Sequence, residues 1–137
     1  MPSDRLKEAL LQIRAWRKAD RERDLSADIE SLLSQPWPAM DAGTLRGELI
    51  GELHLRGNHA RAEALLLAEV EREPAEPFRS LSLAEHYHYY DVNLQRALVH
   101  VATAIAKART DGKFMVQALG AQARIAIELK NWPLVEA

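Results

Sequence analysis

Apolar residues recur along this chain at intervals of three and four. Leu6, Leu10 and Ile13 share a face with Arg17. The same spacing joins Ile29, Leu32 and Leu33, then Leu45, Leu49, Ile50 and Leu53, then Ala62, Leu65, Leu66 and Val70. Further on, Ala97, Val101, Ala104 and Ala108 form one stripe, with Leu98 and Ile105 beside it. That interval keeps one helix face apolar, so each run predicts an amphipathic helix. No strand is expected.

The residues between the runs predict where helices start and stop. Ser3 or Asp4 is placed to cap the first helix. The run Ala19-Asp20-Arg21-Glu22-Arg23-Asp24 has no apolar anchor and reads as a helix end plus a turn. No Gly or Pro lies between Ser3 and Gln35, so a single helix over 4–35 is the alternative. Ser26 is expected to cap a short second helix. Pro36-Trp37-Pro38 ends it, because proline cannot continue a helix and restricts the residue before it; Trp37 is expected to plug a junction between hairpins. Asp41 is expected to cap a third helix running to Arg56. A Gly57-Asn58 turn follows, then a fourth helix from Asn58 or His59 to about Glu73. Pro74-Ala75-Glu76-Pro77 links to a fifth over Phe78–Tyr90, and Asp91-Val92-Asn93 turns into a sixth over Leu94–Ala108. Thr110-Asp111-Gly112 stops that helix, a seventh covers Lys113–Leu129, and Leu134–Ala137 begins an eighth. Short connections make neighbouring helices antiparallel.

The pattern also repeats. Ala62 and Ala97 are 35 residues apart, and each follows a similar turn: Asn58-His59-Ala60-Arg61-Ala62 against Asn93-Leu94-Gln95-Arg96-Ala97. A small residue there lets the two helices of a hairpin cross closely. A looser third copy, Lys130-Asn131-Trp132-Pro133-Leu134-Val135, lies 38 residues on. On these residues the chain resembles the tetratricopeptide repeat family. Leu49, Leu53, Gly57, His59, Ala62, Leu66 and Pro74 carry the first copy, and Ala84, Asn93, Ala97, Val101 and Ala104 the second. Ala123 and Trp132 mark the third. The pattern departs from the family where Arg109 replaces a closing proline, where Glu85 fills a usually small position, and where no early tryptophan opens a first helix. Ala118, Ala121, Ala123 and Ala126 also look like the repeats of bacterial ATPase transcription regulators of the maltose-activator type.

The resemblance implies an all-α fold, a tetratricopeptide-like α-solenoid of antiparallel helix hairpins with about seven helices. It implies an N-terminal hairpin over 1–38 packing on repeats over 39–137, the last incomplete. First helices would line the concave face. That face would carry Thr44, Gly47, Gly51, His54 and Leu55, then Arg79, Ser82, His86, Tyr89 and Tyr90, then Gln117, Gly120, Arg124, Ile127 and Glu128. Gly47 and Gly51 do not match the Lys, Asn and Arg set with which some members grip a C-terminal carboxylate.

Two local compositions bear on that face. Gly43, Gly47 and Gly51 stand at i, i+4 and i+8, and each glycine costs ~0.8–1 kcal/mol against alanine inside a helix. Close helix packing is the first expectation for them, and a smooth floor under a peptide the second. In His86-Tyr87-His88-Tyr89-Tyr90, Tyr87 and one histidine are expected in the core. The binding alternative is an amphipathic strip of Arg79, His86 and Tyr89, because Tyr and Arg anchor interfaces. No two of His54, His59, His86, His88 and His100 stand at i, i+4, so no metal site and no cofactor are expected.

Composition narrows the function classes. The chain has 137 residues, a net charge of −2 and no cysteine, which speaks against a general nucleic-acid binder and against disulfide or thiolate chemistry. Arg5, Lys7, Arg14, Arg17, Lys18, Arg21 and Arg23 alternate with Asp4, Glu8, Asp20, Glu22 and Asp24, as on a solvated ion-pair face. No apolar run reaches a membrane span, no secretory signal opens the chain, and a cytoplasmic location is expected. No phosphate loop, nucleophile elbow or cysteine nucleophile is present. The expected function is therefore a non-catalytic scaffold binding a protein or peptide on its concave face. The alternative is an effector-sensing module of a larger transcription regulator or signalling protein, with Arg79, His86, Tyr89 and Arg124 taking a small ligand. Trp132, Leu134 and Val135 open a helix with no partner face, so the array is expected to continue in a longer chain or to be covered by another subunit.

Overall fold

The computed structural model describes residues 3–130. Those residues form seven helices and no strand: α1 (Asp4–Ala19), α2 (Ser26–Leu33), α3 (Ala39–Leu55), α4 (His59–Arg72), α5 (Pro77–Tyr89), α6 (Leu94–Asp111) and α7 (Met115–Glu128). The protein is all-α, and 4–35 is two helices rather than one. The expected eighth helix lies outside the described residues. No helix among them is long and apolar enough to cross a membrane. The chain divides into two compact units, Met1–Asn58 and His59–Ala137, where the sequence pattern suggested a division after residue 38. The dividing turn is built on Gly57, whose φ of 77° needs a residue without a Cβ. The Asn58 N–H reaches back to the Leu53 carbonyl at 2.8 Å, closing α3 in a Schellman-type cap.

In the first unit α1 and α3 run parallel. At their N-terminal ends the Ser3 hydroxyl donates to Asp41 Oδ2 at 2.7 Å while accepting from the Leu6 N–H. Toward their C-terminal ends Arg17 meets Glu48 at 3.0 Å and Glu52 at 3.6 Å. Asp41 is thus not the cap of α3. Pro38 holds that position, extended at ψ 148° and without a side-chain cap, and Asp41 is buried in the first turn as the partner of Ser3. Ser26 does not cap α2 either. Leu25 stands at the N-cap, and Ser26 is the first helical residue, its N–H donating to Asp24 Oδ1. Leu6, Ile13, Leu25, Ile29, Leu45 and Leu53 are all buried.

In the second unit α4 and α5 are antiparallel, since Glu63 faces His86 and Glu69 faces Arg79. So are α5 and α6, where Ser80 meets Lys107 at one end and Tyr87 stacks on His100 at the other. The α5 and α7 helices run parallel: Phe78 lies beside Phe114 just ahead of α7, and His88 bonds Glu128 at its end. The buried residues of α6 and α7 are mostly small, with Ala97, Ala104, Ala108, Ala118, Ala121 and Ala126 at 2% exposure or less. Such short side chains let helix axes approach to the near end of the usual ~8–10 Å. Asn93 caps α6 by accepting from the Arg96 N–H, and Gly112, at φ 78°, ends it.

Candidate functional site

The residues singled out on the first unit lie on an open surface. A Cβ built at Gly47 or Gly51 would meet nothing within 4 Å, so close helix packing is not what these glycines serve. His54, in the last turn of α3, is half-buried. The charged run of α1 also differs from a purely solvated face. Arg5 lies over the Trp37 ring at 3.9 Å and donates to the Pro36 carbonyl, while Trp37 Nε1 donates to the Leu32 carbonyl. Trp37 is thus held within the α1–α2–α3 unit. Arg17 turns inward to Glu48 and Glu52. The Glu52 carboxylate is fully buried and accepts from Arg56 Nε at 2.9 Å and from the Leu25 N–H at 3.1 Å. Arg56 also donates to the carbonyls of Arg21, Glu22 and Arg23, which orders the turn that lacks an apolar anchor. Beside it lies a cleft of about 410 Å³ lined by Arg17, Lys18, Arg21, Leu55 and Arg56.

In the second unit, α5 directs its polar residues to two sides. Arg79 and His86 face α4. Arg79 pairs with Glu73 at 3.4 Å and Glu69 at 3.6 Å. His86 is buried, with its Nε2 3.6 Å from Glu63 Oε2. His88 faces α7 instead, bonding Glu128 Oε1 at 2.9 Å, and Tyr89 stacks on His88 with ring centroids 4.1 Å apart. The expected strip of Arg79, His86 and Tyr89 is therefore divided. What the fold gathers is Tyr89, His88 and Glu128, with Glu85 close enough to feel the charges of His88 and Arg124. Desolvation raises the pKa of Glu85 and those two neighbours oppose the rise. Gly120 lies on the same face, where an added Cβ would sit 3.4 Å from an Arg124 guanidinium nitrogen. Tyr89, Gln117, Arg124, Ile127 and Glu128 are exposed and Ser82 is half-buried. Tyr90 is exposed beside the His59 ring, 5.7 Å away, and so sits with α4 rather than with the α5/α7 face.

All three of His86, Tyr87 and His88 are buried, where the local pattern suggested that only one histidine would be. The tyrosine stacks on His100 and meets His86 edge-on. Desolvation lowers the pKa of His86, and the charges of Glu63 and Asp91 resist that fall. Burial likewise raises the pKa of Tyr87, whose hydroxyl hydrogen-bonds Glu63. Around His86 three metal-type donors converge: ligand atoms of Glu63, His86 and Asp91 all lie within 4.8 Å of one another. Local spacing could not reveal this group, because it draws on α4, α5 and the turn before α6. The turn is folded back by the His86 carbonyl, which accepts the N–H groups of both Tyr90 and Asp91.

No protein-family model matches the chain, and no curated protein or solved structure matches it.

Proposed function

We propose that this protein is a non-catalytic, tetratricopeptide-like scaffold that holds an extended protein or peptide segment on the face shared by α5 and α7. The supporting observation is the parallel register of alternate helices. Ser3 meets Asp41 across α1 and α3, 38 residues apart, and His88 meets Glu128 across α5 and α7, 40 residues apart. Those separations approximate the 35- and 38-residue repeats of the sequence. Antiparallel neighbours with parallel alternates are the geometry of stacked hairpins, whose first helices share one face. On the α5/α7 face, Tyr89 offers a large, rigid contact and is 54% exposed. Glu85, Arg124 and Glu128 offer charges of both signs around it, and such mixtures of aromatic anchor and polar rim suit peptide recognition. A cysteine-free chain suits a reducing cytoplasm.

Selection of displayed peptides against the full chain, in buffer containing a chelator, tests the proposal. Peptides that bind wild type and lose at least tenfold affinity to both Tyr89→Ala and Arg124→Glu support it. Failure to enrich any peptide, or binding indifferent to both substitutions, overturns it.

A second reading, effector sensing within a larger regulator, draws support from the cationic cleft of the first unit. Lys18 and Arg21 would there supply charge to an anionic small molecule. Thermal-shift titration with pyrophosphate and with citrate tests it; no shift that Lys18→Ala and Arg21→Ala together abolish would sink it.

A further inference from the structure

We propose that Glu63, His86 and Asp91 form a binding site for a divalent first-row transition-metal ion, with Zn(II) the best match. The three donors come from three places in the chain: α4, the last turn of α5 and the α5–α6 turn. They nevertheless converge within 4.8 Å of one another. Protein ligands hold zinc at ~2.0–2.2 Å, so neighbouring donors in such a shell sit ~3.3–3.6 Å apart. The His86 Nε2 to Glu63 Oε2 distance, 3.6 Å, already has that value. Asp91 is exposed on a turn, where a carboxylate swings by a side-chain rotation to shorten the remaining distances.

The charge and chemistry of the donors agree with the geometry. Two carboxylates supply two negative charges against the two positive charges of the ion. One imidazole tilts the site away from Mg(II) and Ca(II), which favour all-oxygen shells, and toward zinc and its neighbours. His86 is buried and fixed by its place in α5, edge-on to Tyr87. The Tyr87 hydroxyl bonds Glu63, the kind of outer contact that orients a ligating carboxylate. The exposed side at Asp91 leaves at least one position for water, so this is an open three-ligand site rather than a closed structural one. Binding would tie the start of α4 to the end of α5 and would stabilise the second unit by mass action.

The site is distinct from the α5/α7 face, because His86 is directed to α4 and His88 to α7. The experiment is calorimetric titration of Zn(II) into chelator-stripped full-length chain, with Mg(II) as the control. Expected are one Zn(II) per chain with micromolar or tighter affinity, a higher melting temperature on binding, and no competition from millimolar Mg(II). Asp91→Asn changes an exposed turn residue and should leave the helical content intact while weakening Zn(II) at least tenfold; Glu63→Gln should do the same. Co(II) should give visible d–d absorption in wild type and not in Asp91→Asn. Absence of saturable Zn(II) binding, equal binding of Mg(II), or Zn(II) binding unchanged in both variants would each overturn the assignment.

Discussion

The two units share one means of holding their helices together, a buried glutamate bridged by arginines, and differ in what surrounds it. In Met1–Asn58 the links between helices run through charge: a buried Glu52 receives Arg56 and the Leu25 N–H, with Arg17 close by, and Ser3 latches Asp41. In His59–Ala137 a buried carboxylate, Glu69, likewise joins α4 to α5 through Arg79 and also holds Arg72, but the apposed faces of α6 and α7 are largely alanine. Alanine stripes keep the backbone close without demanding any partner. A buried carboxylate demands several, because an uncompensated charge in a low-dielectric interior is costly. The second unit thus adds an alanine-packed layer and interior histidines to its one buried carboxylate, whereas in the first Glu52, with Arg56, holds the α1–α2 connection.

The largest expected break in this comparison is Glu52→Ala. It removes the acceptor of Arg56 Nε and of the Leu25 N–H, and one of the two carboxylates beside Arg17, and should cost about 3 kcal/mol. The value sits at the low end for a buried pair because Arg17 and Arg56 retain some access to water. Urea unfolding followed by Trp16 and Trp37 fluorescence in a Trp132→Phe background reads the first unit directly, and a loss under 1 kcal/mol would show that charge does not hold it. Next is Ala104→Leu, which overpacks the α6 stripe and should cost about 2 kcal/mol, measured by circular dichroism in urea. Tolerance of the larger side chain would show that the second unit does not depend on close approach.

Smaller effects sharpen the contrast. Gly47→Ala and Gly51→Ala should each stabilise by ~0.8–1 kcal/mol, since nothing occupies the space a Cβ would enter; a lower melting temperature for either would point to a contact these glycines serve. The smallest effect is a pH dependence specific to the second unit. Burial depresses the folded pKa of His86 and of His100, so as pH falls below about 6.5 the unfolded chain takes up protons that the folded chain resists. Stability contributed by these groups is present above that pH and declines below it. Comparing urea midpoints at pH 7.5 and 5.5 checks the direction, and His100→Gln should flatten part of the slope.

Periodicity and punctuation made the helices legible. Six of the seven begin within a residue or two of where their apolar runs and breakers place them, and α5 opens on the proline meant to precede it. The N-caps of α2 and α3 were misread because a Ser or Asp near a helix start has the same sequence appearance at the cap and inside the first turn. Long-range polar contacts were not legible. Nothing local distinguishes Glu52, which is fully buried, from the exposed Glu71. Nor does helical spacing link Glu63 to Asp91, because a turn brings them together. Likewise the burial of both His86 and His88 depended on the neighbour that each met, α4 or α7.

One guanidinium group, that of Arg56, accepts responsibility for three successive carbonyls in the α1–α2 connection. A serine protease of tryptic specificity must draw the backbone around a basic residue into an extended strand before it can cut. Arg21 and Arg23 are exposed and would otherwise invite that cut. While Arg56 holds their carbonyls, scission there requires the connection to be pulled free first. The rate of nicking at these two bonds is thus a direct clock for opening of the first unit, and Arg56→Ala should make it run fast without any change to the bonds being cleaved.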